Sequence, residues 1–113
     1  LIERVCGVKT ELFRPPEGYV SETVSSVVSS DGYTLVLWSI DTLDWRGTAA
    51  EKICDTVIKG ASDGAIILCH DYIVRKSNTA DALEMFIPRL QRMGYEFVTL
   101  VELLSNEDNK CKC

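Results

Sequence analysis

Ala65-Ile66-Ile67-Leu68-Cys69-His70-Asp71 reads as a short buried strand that ends in two titratable side chains. In a sheet of alternating strands and helices, the strand ends are where reactive groups stand. Side chains alternate between the faces of a strand. Leu68 and His70 are therefore expected on one face, with Ile67 and Cys69 on the other. His70 is the single histidine of the chain. Imidazole as a side-chain type changes charge near neutrality and can serve as general acid or base. A histidine merely hydrogen-bonded at a strand end fits the same pattern.

Two other segments place charged groups at the ends of apolar strands: Phe13-Arg14-Pro15-Pro16-Glu17-Gly18 and Ser39-Ile40-Asp41-Thr42-Leu43-Asp44-Trp45. Together the three look like a polar cluster on one rim. A carboxylate such as Asp44 near His70 would orient the ring by accepting from one nitrogen, and would favour the protonated, acid form. The plainer reading of Asp44 is a loop residue or a helix-start anion. Trp45 is either ordinary packing or a stacking surface for a sugar ring. The fork of Arg14 suits a carboxylate held bidentately. The two prolines stiffen its loop and Gly18 permits a sharp turn. Such a loop can hold the Glu17 N–H in place to donate to an oxyanion. A proline-rich turn beside a surface salt bridge is the alternative.

Four strand-then-helix units surround these segments. The first pairs a strand near Leu12-Phe13 with a helix from about Ser21 to Asp31, its apolar face being Val24, Val27 and Val28. The second strand runs Thr34 to Ile40, near-continuously apolar as in a sheet covered by helices. Its helix opens on Thr48-Ala49-Ala50-Glu51, read as a capping box, and buries Ile53, Cys54, Val57 and Ile58 before Gly60. The third strand is Ala65 to Cys69. Asn78 then caps a helix carrying Leu83, Phe86, Ile87 and Leu90, with Pro88 expected to kink it. Phe97 to Leu100 reads as a last strand, followed by a short helix over Val101 to Leu104. Residues 105–113 read as a polar, frayed tail.

This order implies an α/β fold with a parallel sheet, open or closed. Leu1, Ile2 and Val5 before Gly7 look like the last turns of a helix. Four strand–helix units leave a sheet edge unpaired. Residues 1–104 are therefore expected to be the C-terminal half of a domain, completed by an N-terminal half in the same or a separate chain.

With 113 residues, 46% apolar and 26% charged, the chain has the composition of one globular domain. Its net charge of −5 argues against a nucleic-acid partner. No apolar run approaches the ~20 residues that span a bilayer. The five cysteines (Cys6, Cys54, Cys69, Cys111 and Cys113) match no zinc spacing. Cys6, Cys54 and Cys69 are expected to be small buried apolar residues.

In order and spacing, Arg14-Pro15-Pro16-Glu17-Gly18, Asp41-Thr42-Leu43-Asp44-Trp45 and Leu68-Cys69-His70 resemble the third, fourth and fifth motifs of the NodB-type polysaccharide deacetylases, carbohydrate esterase family four. The resemblance implies a distorted (β/α) barrel, of which this chain is the C-terminal half. It also implies metal-dependent removal of acetyl from N-acetylglucosamine in a polysaccharide, most like the bacterial enzymes that act on peptidoglycan. A chitin or chitooligosaccharide deacetylase is the runner-up. A non-catalytic glycan-binding or degenerate fragment is the alternative of another class.

By the same resemblance, His70 is the catalytic acid, Asp44 tunes it and Arg14 holds a base aspartate. The Glu17 N–H contributes to the oxyanion hole, and Pro16, Trp45 and Leu68 line the substrate site. The implied cofactor is a divalent metal, zinc by the family pattern, whose bound water attacks the acetamide carbonyl. The implied partner is a glycan at the cell surface or outside the cell. The family's first two motifs, which carry its paired aspartates and metal-ligand histidines, are absent. With one histidine, the chain alone is expected to be inactive. Glu17 replaces the family's usual aromatic residue, which should weaken stacking and make the groove more acidic.

Overall fold

The computed structural model describes residues 2–71 and 77–110, so the expectations for Leu1, Cys111 and Cys113 fall outside the described residues. The chain divides into two compact units, Leu1–Leu37 and Trp38–Cys113. In both, the strands pair in parallel, as the alternation of strands and helices requires.

The first unit opens with a short helix, α1 (Ile2–Cys6), that buries none of its residues. Cys6 is exposed there, contrary to its expected burial, because a five-residue helix with no buried face has no core to put it in. β1 (Leu12–Phe13) pairs with β2 (Thr34–Leu35), Leu12 opposite Thr34 and Phe13 opposite Leu35. Between them runs α2 (Glu22–Ser30), where the Ser21 hydroxyl caps the first turn by accepting from Val24 N–H at 3.2 Å. Only Val28 of the expected apolar face is fully buried; Val24 is half-buried and Val27 is 54% exposed. A two-strand sheet is too narrow to cover all three.

The second unit carries β3 (Ile40–Asp41) beside β4 (Ile67–Leu68), with Ile40 opposite Ile67 and Asp41 opposite Leu68. Helices α3 (Ala50–Gly60) and α4 (Thr79–Arg92) pack on one side of it. Their core is Ile40, Ile53, Cys54, Val57, Ala82, Phe86 and Leu90. The apolar positions of α4 fall at helical spacing, which turns one stripe of the helix toward the core. Gly60 lets α3 end against β3: a Cβ there would stand 3.1 Å from Ile40 Cγ1. The helix α4 runs unbroken through Pro88, which is exposed.

Four local expectations are corrected. The strand expected from Thr34 to Ile40 is two strands in different units. At the break, Ser39 and Ile40 both donate their N–H to Ile66 O, at 3.0 and 3.1 Å, and the Ser39 hydroxyl accepts from Ile66 N–H at 3.0 Å. A side chain thus takes a place in the ladder that the backbone would otherwise hold. Thr48 does not cap α3, because its hydroxyl donates to Leu43 O at 2.7 Å. Asn78 makes no side-chain cap either; its amide donates to Thr48 O at 3.0 Å.

Finally, Phe97 to Leu100 forms no strand. Thr99 and Glu102 make the reciprocal capping box instead: Thr99 N–H and hydroxyl donate to Glu102 Oε2 at 2.8 and 2.7 Å, and Glu102 N–H to Thr99 Oγ1 at 3.3 Å. That box starts α5 (Leu100–Lys110), which is longer than the expected helix over Val101 to Leu104 and enters the region read as a tail.

Candidate active site

The loop after β3 is built to aim one carboxylate inward. Asp41 Oδ1 accepts from Leu43 N–H at 3.0 Å, the short side-chain turn that aspartate favours. Leu43 is held in the left-handed region at φ 52°, a conformation that costs a branched residue roughly 1–2 kcal/mol. Its carbonyl is clamped from two sides, by Arg46 N–H at 3.1 Å and by the Thr48 hydroxyl at 2.7 Å. These bonds hold the tight turn Asp44–Arg46 and leave Asp44 1% exposed.

The Asp44 carboxylate accepts four hydrogen bonds. Oδ1 takes Trp45 N–H at 2.9 Å and the His70 ring at Nδ1, 2.7 Å. Oδ2 takes His70 N–H at 2.7 Å and the Thr79 hydroxyl at 2.8 Å. Burial by itself would raise the pKa of Asp44. The bonds from the His70 ring, the His70 N–H and Thr79, with the charge of His70, outweigh it and hold the carboxyl below its ordinary 3.8. An ionised carboxylate only accepts, so the proton between the two groups sits on Nδ1 of His70. Nε2 is then the free end of the ring, with no protein partner among the described residues, and the histidine side chain is 31% exposed.

Strand alternation holds around this pair. Ile67 and Cys69 pack against the core of the two helices, whereas Leu68 between them is buried outside that cluster. The strand ends are tied together by Thr42, whose buried hydroxyl donates to Leu68 O at 2.7 Å. Burial raises the Cys69 thiol, a hydrogen bond with Thr42 opposes this, and the negative charge of Asp44 raises it further, so Cys69 is an inert neutral thiol. A cavity of about 750 Å³ lies on the Ile67 and Cys69 side of β4, bordered also by Phe86, Tyr95 and Phe97, away from His70.

Trp45 is 49% exposed, and the Arg46 guanidinium lies over its ring, 4.7 Å from the centroid. That contact stiffens the indole while leaving much of it free to meet a ligand.

Arg14, Pro16 and Glu17 belong to the first unit. The tight turn Pro16–Gly18 is closed by Gly18 N–H to Pro15 O and Tyr19 N–H to Pro16 O, both at 3.1 Å, which leaves the Glu17 N–H outside those bonds. Glu17 sits at φ 56°, a left-handed conformation that a non-glycine residue enters only under constraint. The two turn bonds on either side of it, to Pro15 O and Pro16 O, close the chain around that residue. Arg14 is exposed and has no carboxylate partner among the described residues. Within the second unit, the structure brings together Asp44, His70 and Thr79 with the Trp45 N–H, while Leu68 is buried two residues before His70.

The donor set does not fit the metal site that the resemblance implies. Among the described residues, no three His, Cys, Asp or Glu side chains cluster closely enough to hold an ion. The sole histidine already spends Nδ1 on Asp44.

Thr79, Ser77 and Thr42 escaped the sequence reading. The available signal was a hydroxyl on an apolar stripe: Thr79, Ala82, Phe86 and Leu90 share the buried face of α4.

No family model matches the chain. A peptidoglycan-N-acetylglucosamine deacetylase of Bacillus cereus is 43% identical over 95 residues, which are 82% of this chain and 45% of that protein. A family 4 acetyl xylan esterase from Clostridium thermocellum, solved in complex with a cobalt ion, superposes with a TM-score of 0.84 at 37% identity, over 95% of this chain and 51% of that one. A CE4 family pseudoenzyme from Bacillus anthracis superposes with a TM-score of 0.82 at 29% identity, over 91% of this chain and 35% of that one. The chain thus spans about half the length of these relatives or less. In its three motifs and in these likenesses the chain is similar to about half of a NodB-type polysaccharide deacetylase of carbohydrate esterase family four.

Proposed function

We propose that this chain is the acid-bearing part of a deacetylase that removes acetyl groups from N-acetylglucosamine units of peptidoglycan outside the cell. The observation that carries the reading is the 2.7 Å bond between His70 Nδ1 and the buried Asp44 carboxylate, which leaves Nε2 as the outward nitrogen. When the ring is doubly protonated, Nε2–H is the proton it gives. It passes to the amide nitrogen of the glycan as the carbon–nitrogen bond breaks, so that an amine departs. Asp44 keeps its negative charge throughout and holds the ring in one orientation.

In this reading Trp45, Leu68 and Pro16 shape the acetyl site. The Glu17 N–H donates to the oxygen on which charge develops, and Arg14 pairs with a base aspartate outside this chain. The whole is a distorted (β/α) barrel, with residues 1–104 as its C-terminal part. A divalent metal, zinc by the family pattern, would be held by residues that are not in this chain.

A second reading has a specific observation behind it. The described residues hold no metal cluster, and a pseudoenzyme is among the structural neighbours. A glycan-binding, non-catalytic role follows if the metal motifs are lacking altogether. The test is mass spectrometry of N-acetylated peptidoglycan fragments incubated with a polypeptide that joins this chain to the first two family motifs. Loss of one acetyl mass unit per cleavage is expected. Binding without any loss at saturating zinc selects the second reading.

A further inference from the structure

Asp44 is saturated. A carboxylate oxygen offers about two lone-pair directions, and each oxygen here receives two donors. Two of the four are backbone N–H groups, of Trp45 and of His70 itself, and the third is the imidazole that the carboxylate serves. The fourth is different in kind. The Thr79 hydroxyl comes from the start of α4, 35 residues along the chain, and among the described residues is the one other side chain that bonds the carboxylate.

Its geometry is fixed from behind. The Ser77 hydroxyl donates to Thr79 Oγ1 at 2.9 Å, and the Ser77 oxygen accepts Thr79 N–H at 3.2 Å. With its oxygen already accepting from Ser77, Thr79 has its single proton committed to Asp44. Thr79 is 5% exposed and Asp44 1%, so solvent has no access to replace the bond. The hydroxyl is also anchored by packing, because Ala82, Phe86 and Leu90 on the same face of α4 lie in the core.

We propose that Thr79 is the positioning residue of the Asp44–His70 pair: by filling Oδ2, its hydroxyl prevents the carboxylate from turning and presents Oδ1 to the imidazole. The seating of α4 on the core thereby sets the orientation of the histidine. Among the described residues, the titratable groups that interact with the carboxylate are His70 and, through its charge alone, Cys69. Neither can substitute for a neutral donor at Oδ2. The consequence for chemistry rests on His70 being the acid; the consequence for ring geometry does not.

The test uses the single histidine as its reporter. In the chain labelled with ¹⁵N-histidine, the neutral ring is expected as one tautomer, protonated at Nδ1, with a slowly exchanging Nδ1 proton. Thr79→Val removes the hydroxyl at nearly constant shape. It should admit the second tautomer and speed Nδ1 proton exchange by about tenfold or more, the equilibrium worth of one hydrogen bond to an ionised group. Thr79→Ser should restore both. Should the valine variant fail to fold, Thr79→Cys, whose thiol is a weak donor, serves with the same readout.

A variant with the wild-type circular dichroism spectrum and an unchanged tautomer and exchange rate would overturn the proposal. In a polypeptide that also carries the first two family motifs, kcat should fall about tenfold in Thr79→Val with KM unchanged, in line with that lost bond. A tautomer shift in a protein that releases no acetate in any form would sink the deacetylase reading and leave the positioning role standing.

Discussion

A buried carboxylate with four donors is a stability element as well as a chemical one. Asp44→Ala leaves the Thr79 hydroxyl and two N–H groups without their acceptor and should cost about 3 kcal/mol, read from urea unfolding. The pH dependence follows from the direction of the shift. The folded carboxyl lies below its ordinary value of 3.8, so on acidification the unfolded chain takes up the proton first. Its contribution is complete above about pH 3.8 and is lost as the pH falls through that value toward the lower folded-state one. Melts of Asp44→Asn should lack this part of the acid destabilisation. An acid limb identical to that of the parent chain would show that Asp44 is not held as an ion. At this scale the histidine and its carboxylate were legible, because strand ends and motif spacing point to them. Thr79 was legible only as a hydroxyl on the apolar stripe of α4, since local pattern does not say which distant residue that hydroxyl meets.

Elements follow the same division between what is local and what is not. Two stretches have capping-box form, Thr48 to Glu51 and Thr99 to Glu102, and only the second makes the bonds. Tertiary demand decides it: the Thr48 hydroxyl is claimed by the strained Leu43 carbonyl, whereas nothing competes for Thr99. The same competition takes the Asn78 amide. The apolar stripes of α3 and α4 were legible because helical spacing is set within one element, while the strand boundaries at Leu35 and Ile40 depend on a ladder bond from Ser39 to a distant strand. Pro88 offers a test of packing against propensity. It sits exposed within α4 and removes one helical N–H, so the surrounding contacts outweigh a cost of about 3 kcal/mol. Pro88→Ala should therefore stabilise the chain by about 1–2 kcal/mol, since part of that cost is offset by the freer unfolded state. Calorimetry giving a lower Tm would show that the proline is tailored to its site.

On the scale of the whole molecule, the described residues present the Asp44–His70 pair and no metal cluster. Asp44 and His70 are bonded to each other within the second unit. Parallel pairing and the TM-score of 0.84 to an acetyl xylan esterase agree with the reading of the sequence as a piece of a deacetylase fold. The central claim is that His70 gives its proton in the transition state. The measurement that tests it most directly is steady-state deacetylation of an N-acetylglucosamine oligomer by a polypeptide containing this chain and the first two family motifs, with and without His70→Ala. General-acid assistance contributes ~10²–10⁴-fold to rate and acts on the transition state rather than on substrate binding. The account predicts a fall in kcat of that size with KM nearly unchanged. An unchanged kcat, or a loss confined to KM, would contradict it.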